Sequence, residues 1–279
     1  DAADAASKAQ ESADKALEAV SKIAFTIDAV PSQNGSLSYT GSAQSPAWNS
    51  YNPNTLTISG ETSGTEAGTY TAIFTPKENY SWNDGTSTPR EVTWTIDRAA
   101  IAVIPSQSNS LTYTGQAQAP TWNDYDSSKL TLGGTTSATT AGSHNATFTP
   151  TKNYRWSDGS TDAKTVAWEI GRATINTIPS QSGTLTYSGS AQGPSWSDYD
   201  TAKMSIGGTT SGTNAGSYNA TFTPSSNYKW SDGSITAKTV AWSIRKAAGS
   251  LTLDKSSATL DDGTTTVSDL SDGYVCQRI

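Results

Sequence analysis

The sequence predicts an all-β chain: three tandem β-sandwich repeats of 74 residues, preceded by an N-terminal α-helical coiled-coil segment. Three observations carry this reading. A block of 74 residues recurs without a gap, relating Pro31, Pro105 and Pro179, then Trp48, Trp122 and Trp196, and likewise Gly68, Gly142 and Gly216. Inside each block, short runs of Thr, Val, Ile and Tyr alternate with Gly, Asn and Asp turn clusters at the spacing of a sandwich. Ahead of the blocks, apolar residues follow a heptad instead.

The step of 74 places the boundaries at 25–98, 99–172 and 173–246, and Trp82, Trp156, Trp230, Trp94, Trp168 and Trp242 complete three sets of three tryptophans. The junctions Ile96-Asp97-Arg98-Ala99-Ala100-Ile101 and Ile170-Gly171-Arg172-Ala173-Thr174-Ile175 lack the composition of a flexible linker. One copy's last strand is therefore expected to run into the next copy's first. In the second copy Val166, Trp168 and Ile170 alternate on one strand face, as do His144, Ala146 and Phe148 on another, with Leu130 and Leu132 a further inward pair. Aliphatic residues are few, so aromatic rings must supply much of the buried area. The expected core is Tyr113, Phe148, Tyr154, Trp156 and Trp168, with Trp168 at its centre.

Residues 1–24 read as a coiled-coil helix. Ala2, Ala6, Ala9, Ala13, Ala16, Val20 and Ile23 form the seam, and Asp4, Glu11 and Glu18 each precede a lysine, Lys8, Lys15 or Lys22, by four. Two fates are open to such a helix: packing on its own first β domain, or self-association, with a trimer favoured. Residues 247–279 break the repeat, and Gly249 to Leu260 reads as the start of a different β domain. Thirty-three residues are too few to close a sandwich alone. The chain starts at Asp1 without an initiator Met or a signal pattern, which is the expectation for a piece of a longer polypeptide.

Composition narrows function. A net charge of −7 without any Lys/Arg cluster argues against a nucleic-acid partner. The longest apolar runs are too short for membrane insertion. Cys276 is the single cysteine, so the fold must be held by its cores. His144 is the single histidine and takes the place of Tyr70 and Tyr218 in the other copies, which reads as a structural imidazole on a half-buried strand. Asp84-Gly85, Asp158-Gly159 and Asp232-Gly233 read as hairpin turns rather than calcium loops. Gly133-Gly134 and Gly207-Gly208 lack the helix and lysine of a phosphate loop. Asn145-Ala146-Thr147 and Asn219-Ala220-Thr221 fit a glycosylation acceptor but are read as strand composition, since the first copy has Thr71-Ala72-Ile73 there. No catalytic residue, cofactor or metal ligand is expected. Sugar contact is a weaker expectation, resting on Trp122-Asn123-Asp124-Tyr125, on Asn153-Tyr154-Arg155-Trp156, and on the Trp82, Trp156 and Trp230 series.

The run Leu111-Thr112-Tyr113-Thr114-Gly115-Gln116-Ala117-Gln118-Ala119-Pro120 resembles the Tyr-x-Gly-x-x-Gln-x-Pro opening of bacterial Ig-like repeats. Ala141-Gly142-Ser143-His144, followed by Asn153-Tyr154-x-Trp156, resembles their later Ala-Gly-Thr-Tyr segment. Residues 249–260 are similar to the opening of a second, intimin-type Ig-like family. The resemblance implies three Ig-like sandwiches of the kind found in phage tail proteins and Gram-positive surface proteins. With the coiled coil ahead of them, it points to a non-enzymatic virion protein of a phage tail or fibre, partnered by other tail proteins and by host-surface glycans. The repeats would serve as a spacer on the order of 100 Å long. The alternatives are a bacterial cell-surface adhesin stalk, or the carbohydrate-binding appendage of a secreted enzyme.

Overall fold

The computed structural model describes residues 1–21 and 25–249. The heptad position Ile23, the intimin-type opening beyond Gly249 and Cys276 lie outside the described residues. The described chain is mostly β, three repeated units behind one helix, and divides into two compact units, Asp1–Ala173 and Thr174–Ile279.

Helix α1 (Ala2–Ser21) is started by Asp1, whose side-chain oxygen accepts the Ala3 amide at 2.8 Å. The acid-before-base spacing forms real pairs, Lys8 with Asp4 and Lys15 with Glu11, both at 2.9 Å. Every side chain from Asp1 to Glu18 is exposed. From Asp1 to Glu18, then, no side chain of the helix is buried on the first β domain.

The first repeat runs β1 (Phe25–Ile27), β2 (Ser32–Asn34), β3 (Leu37–Ser38), β4 (Ala47–Asn49), β5 (Leu56–Gly60), β6 (Gly68–Pro76), β7 (Tyr80–Trp82) and β8 (Arg90–Asp97). A four-stranded sheet of order β3-β8-β6-β5 forms one layer; β8, β6 and β5 are antiparallel, and β3 joins β8 in parallel. The facing layer is not a second full sheet. It consists of two short ribbons, antiparallel β2–β4 and parallel β1–β7. The second repeat repeats the plan with β9 (Ala99–Ile101), β10 (Ser106–Gln107), β11 (Leu111–Thr112), β12 (Trp122–Asn123), β13 (Leu130–Gly134), β14 (Gly142–Pro150), β15 (Tyr154–Trp156) and β16 (Lys164–Gly171). In the other unit, β18 (Ser180–Ser182), β19 (Leu185–Thr186), β20 (Ser195–Ser197), β21 (Met204–Gly208), β22 (Gly216–Pro224), β23 (Tyr228–Trp230) and β24 (Lys238–Arg245), after β17 (Ala173–Ile175), follow the same order.

So thin a second layer needs tethers, and a glutamine supplies one in each repeat. The Gln33 side-chain amide accepts from Thr95 N at 2.8 Å and donates to Thr95 O at 3.0 Å, standing in for a strand against β8. Gln107 does the same with Glu169, and Gln181 with Ser243. A glutamine recurring at steps of 74 was the available sequence signal.

The cores are aromatic. In the second repeat Leu130, Ala146, Phe148, Trp156, Trp168 and Ile170 are buried. Tyr113, Tyr154 and Leu132, expected inside, are only partly so. Each buried indole finds an acceptor, as burial without one is costly: Trp168 Nε1 donates to Thr135 O at 2.7 Å, and Trp156 Nε1 to Asp162 O at 2.9 Å. The junction expectation holds between the first two copies, where Arg98 alone separates β8 from β9.

Candidate functional site

The Trp82, Trp156 and Trp230 series cannot stack on a sugar, because all three are about 1% exposed. Their recurrence reflects core packing. Trp48, Trp122 and Trp196 are half-buried, each 4.9 Å edge-on to the buried Phe74, Phe148 or Phe222. Of the aromatic stretches read from the sequence, Tyr125 and Tyr154 are brought together. Both line a groove of about 390 Å³ on the second repeat, with Val103, Asp124, Asp126 and Lys129.

The Asp-Gly positions are turns, as their chemistry dictates. Gly159 takes a left-handed φ of 88°, and its N–H donates to Trp156 O at 2.9 Å. The Asp158 carboxylate is fully engaged, accepting the Ser160 N–H and Oγ–H on one oxygen and Lys164 Nζ on the other. Lys164, then the Ser160 hydroxyl and amide, hold this carboxyl far below the usual range, and Lys238 and Ser234 do the same to Asp232. At Asp84 the Thr86 hydroxyl leads, with Arg90 contributing. The cations also lie over the buried indoles, with Lys164 Nζ 5.2 Å from the Trp156 ring centre. Among the described residues no three His, Cys, Asp or Glu side chains gather as a metal set.

His144 occupies the tyrosine position with a matching hydrogen bond. Its Nε2 lies 2.9 Å from Thr140 O, four residues back, as Tyr70 and Tyr218 donate to Glu66 O and Asn214 O at 2.7 Å. Its ring centre is 4.7 Å from that of Trp168. The opposing residue changes with it. Gly64 and Gly212 pair with Gln44 and Gln192, and at those glycines a Cβ would collide with the tyrosine ring; the residue bridged to Gln118 in the second repeat is Ala138. The smaller imidazole makes room for a methyl group.

Gly133-Gly134 and Gly207-Gly208 end the edge strands β13 and β21, and Asn145 and Asn219 lie mid-strand in β14 and β22.

The most specific polar constellation of the first unit is the joint between its two repeats, which sequence reasoning missed. Asn153, at 8% exposure, has its Oδ1 accepting Ala67 N at 3.0 Å and its Nδ2 donating to the Glu66 carboxylate. That carboxylate also pairs with Lys152 Nζ at 3.0 Å. Asn153 first and Lys152 second keep the Glu66 carboxyl below its ordinary range. Arg98 Nε donates to Lys152 O at 2.9 Å, and Tyr154 meets Tyr39 edge-on at 5.5 Å. Glu66 is replaced by Thr140 and Asn214 in the other copies, so the 74-residue comparison marked it as different without saying why.

A family described as Putative Ig domain matches residues 5–97, covering most of α1 and the first repeat. The described repeats share that repeat's strand order. No curated protein matches the chain.

Proposed function

We propose that this chain is a non-enzymatic structural component of a bacteriophage tail or fibre, in which Ig-like repeats act as a stiff spacer assembled through the N-terminal helix. The joint carries the spacer reading. Two repeats separated by one residue, clamped by Asn153, Glu66, Lys152, Arg98 and the Tyr39–Tyr154 pair, have little freedom to hinge.

Assembly rests on the helix. Helices in proteins draw most of their stability from packing an apolar face, and this one of 20 residues is exposed from Asp1 to Glu18. Its exposed seam at Ala2, Ala6, Ala9, Ala13 and Ala16 gains burial by meeting further copies of itself. A trimer suits a fibre. The localisation proposed is the virion, with other tail proteins as neighbours; the phage assignment draws on the resemblance of the repeats and on the helix ahead of them. A tethered adhesin stalk on a bacterial surface would use the same spacer without self-association.

Light scattering separates the two. The whole chain should have the mass of a trimer and a version lacking residues 1–24 that of a monomer. A monomer in both would reject helix-driven assembly and favour the adhesin stalk.

A further inference from the structure

The groove on the second repeat has no part in the fold's own accounting. Val103, on its wall, is 51% exposed on a chain whose aliphatic residues are scarce. The first repeat has Asp28-Ala29 where the second has Ala102-Val103, and the third has Asn176-Thr177. Those repeats fold without this apolar wall, so the wall is not a requirement of folding.

The rings beside it are braced. Tyr125 lies 5.5 Å from buried Phe148, and Tyr154 is held by Tyr39 across the joint. Braced tyrosines give contact area at little cost in side-chain freedom. The polar rim recurs in the third repeat as Asp198, Asp200 and Lys203, so the wall at Val103 is what sets this groove apart. Asp126 is occupied by Ser128 and by Lys129 at 3.0 Å, whereas the Asp124 carboxylate is exposed and without a hydrogen bond or ion pair among the described residues. Asp124 takes a left-handed φ of 59°, as Ser50 and Asp198 do at the matching places, so that conformation belongs to the repeat.

We propose that this groove binds a neutral pyranose sugar. Tyrosine faces and Val103 suit the C–H face of the ring, and the carboxylates and ammonium suit its hydroxyl edge. Two aspartates against one lysine disfavour an anion, while the Asp126–Lys129 pair and the exposed Asp124 carboxylate offer a hydroxyl edge both a donor and acceptors. A volume of about 390 Å³ lies at the small end of ligand sites. The inference goes beyond the spacer reading; a weak single site would gain strength by multiplication on an oligomer.

The test is saturation-transfer NMR on the whole chain with methyl β-D-glucopyranoside, methyl β-D-galactopyranoside and N-acetyl-D-glucosamine as probes, and glucuronate as the anionic control. The comparison variant carries Ala102→Asp, Val103→Ala, Asp124→Ser and Lys129→Thr, the first repeat's own residues at those places, so its fold should be kept, which circular dichroism checks. At least one neutral probe should bind the natural chain, and the variant should bind it at least about tenfold more weakly. No signal from any neutral probe, equal binding by the variant, or glucuronate binding as well as the neutral sugars would overturn the proposal. The mass measurement that tests assembly through the helix does not depend on these four positions, so the two can fail separately.

Discussion

Replacing His144 by tyrosine makes the second repeat more like its neighbours at that position, yet it should destabilise it. In the first and third repeats the tyrosine ring lies against a glycine so closely that an added Cβ would stand under 3.0 Å from ring carbons. Ala138 already carries that Cβ, and the shorter imidazole is what it tolerates. His144→Tyr therefore overpacks the strand face beside Trp168, at a cost of about 1–3 kcal/mol. Ala138→Gly alone loses a methyl contact and adds backbone freedom, about 0.5–1 kcal/mol. The double variant recreates the Gly/Tyr pair, with the introduced phenol able to donate to Thr140 O. It should be more stable than His144→Tyr alone, with a coupling of about 1 kcal/mol or more. Hydrogen-exchange mass spectrometry in a urea series reads the β13–β14–β16 ladder separately from the other repeats. A His144→Tyr chain as stable as the natural one, or a double variant no better than the single, would refute the reasoning.

Other substitutions probe the remaining links. Trp168→Ala should cost about 3–5 kcal/mol in local stability of the second repeat, measured by the same exchange series, because it empties the core and orphans Thr135 O. Asn153→Ala should cost about 1–3 kcal/mol by stranding the Ala67 amide at the joint; faster exchange at Ala67 with unchanged exchange in the β13–β14–β16 ladder is the expected pattern. Acid should weaken the fold in one direction only. Asp84, Asp158, Asp200 and Asp232 titrate below the ordinary range and Asp126 titrates at about 2, so the folded state keeps them charged where the unfolded chain takes up protons. Their contribution is complete above the unfolded value of about 3.9 and is lost as pH falls towards the folded values. Thermal melts should be flat from about pH 7 to about pH 5 and drop below about pH 4; a Tm rising on acidification would contradict the assignment.

The strict 74-residue step determined that one fold is used three times, and the alternation around Trp168 and Phe148 determined which strand faces are buried, because side-chain direction in a strand follows from spacing alone. The heptad likewise placed the helix and its ion pairs. Spacing could not decide which of several recurring aromatics is covered. Trp156 is inside and Tyr154, two residues earlier on the three-residue ribbon strand β15, is half outside, where it meets Tyr39 at the joint. The same limit applies to pairs brought together from far apart in sequence: Gln33 standing in for a strand beside Thr95, Glu66 meeting Asn153 across a joint, Tyr125 and Tyr154 closing on one groove. A sequence specifies local direction and period, whereas these contacts depend on how layers and repeats come to rest on one another, and that only the tertiary structure decides.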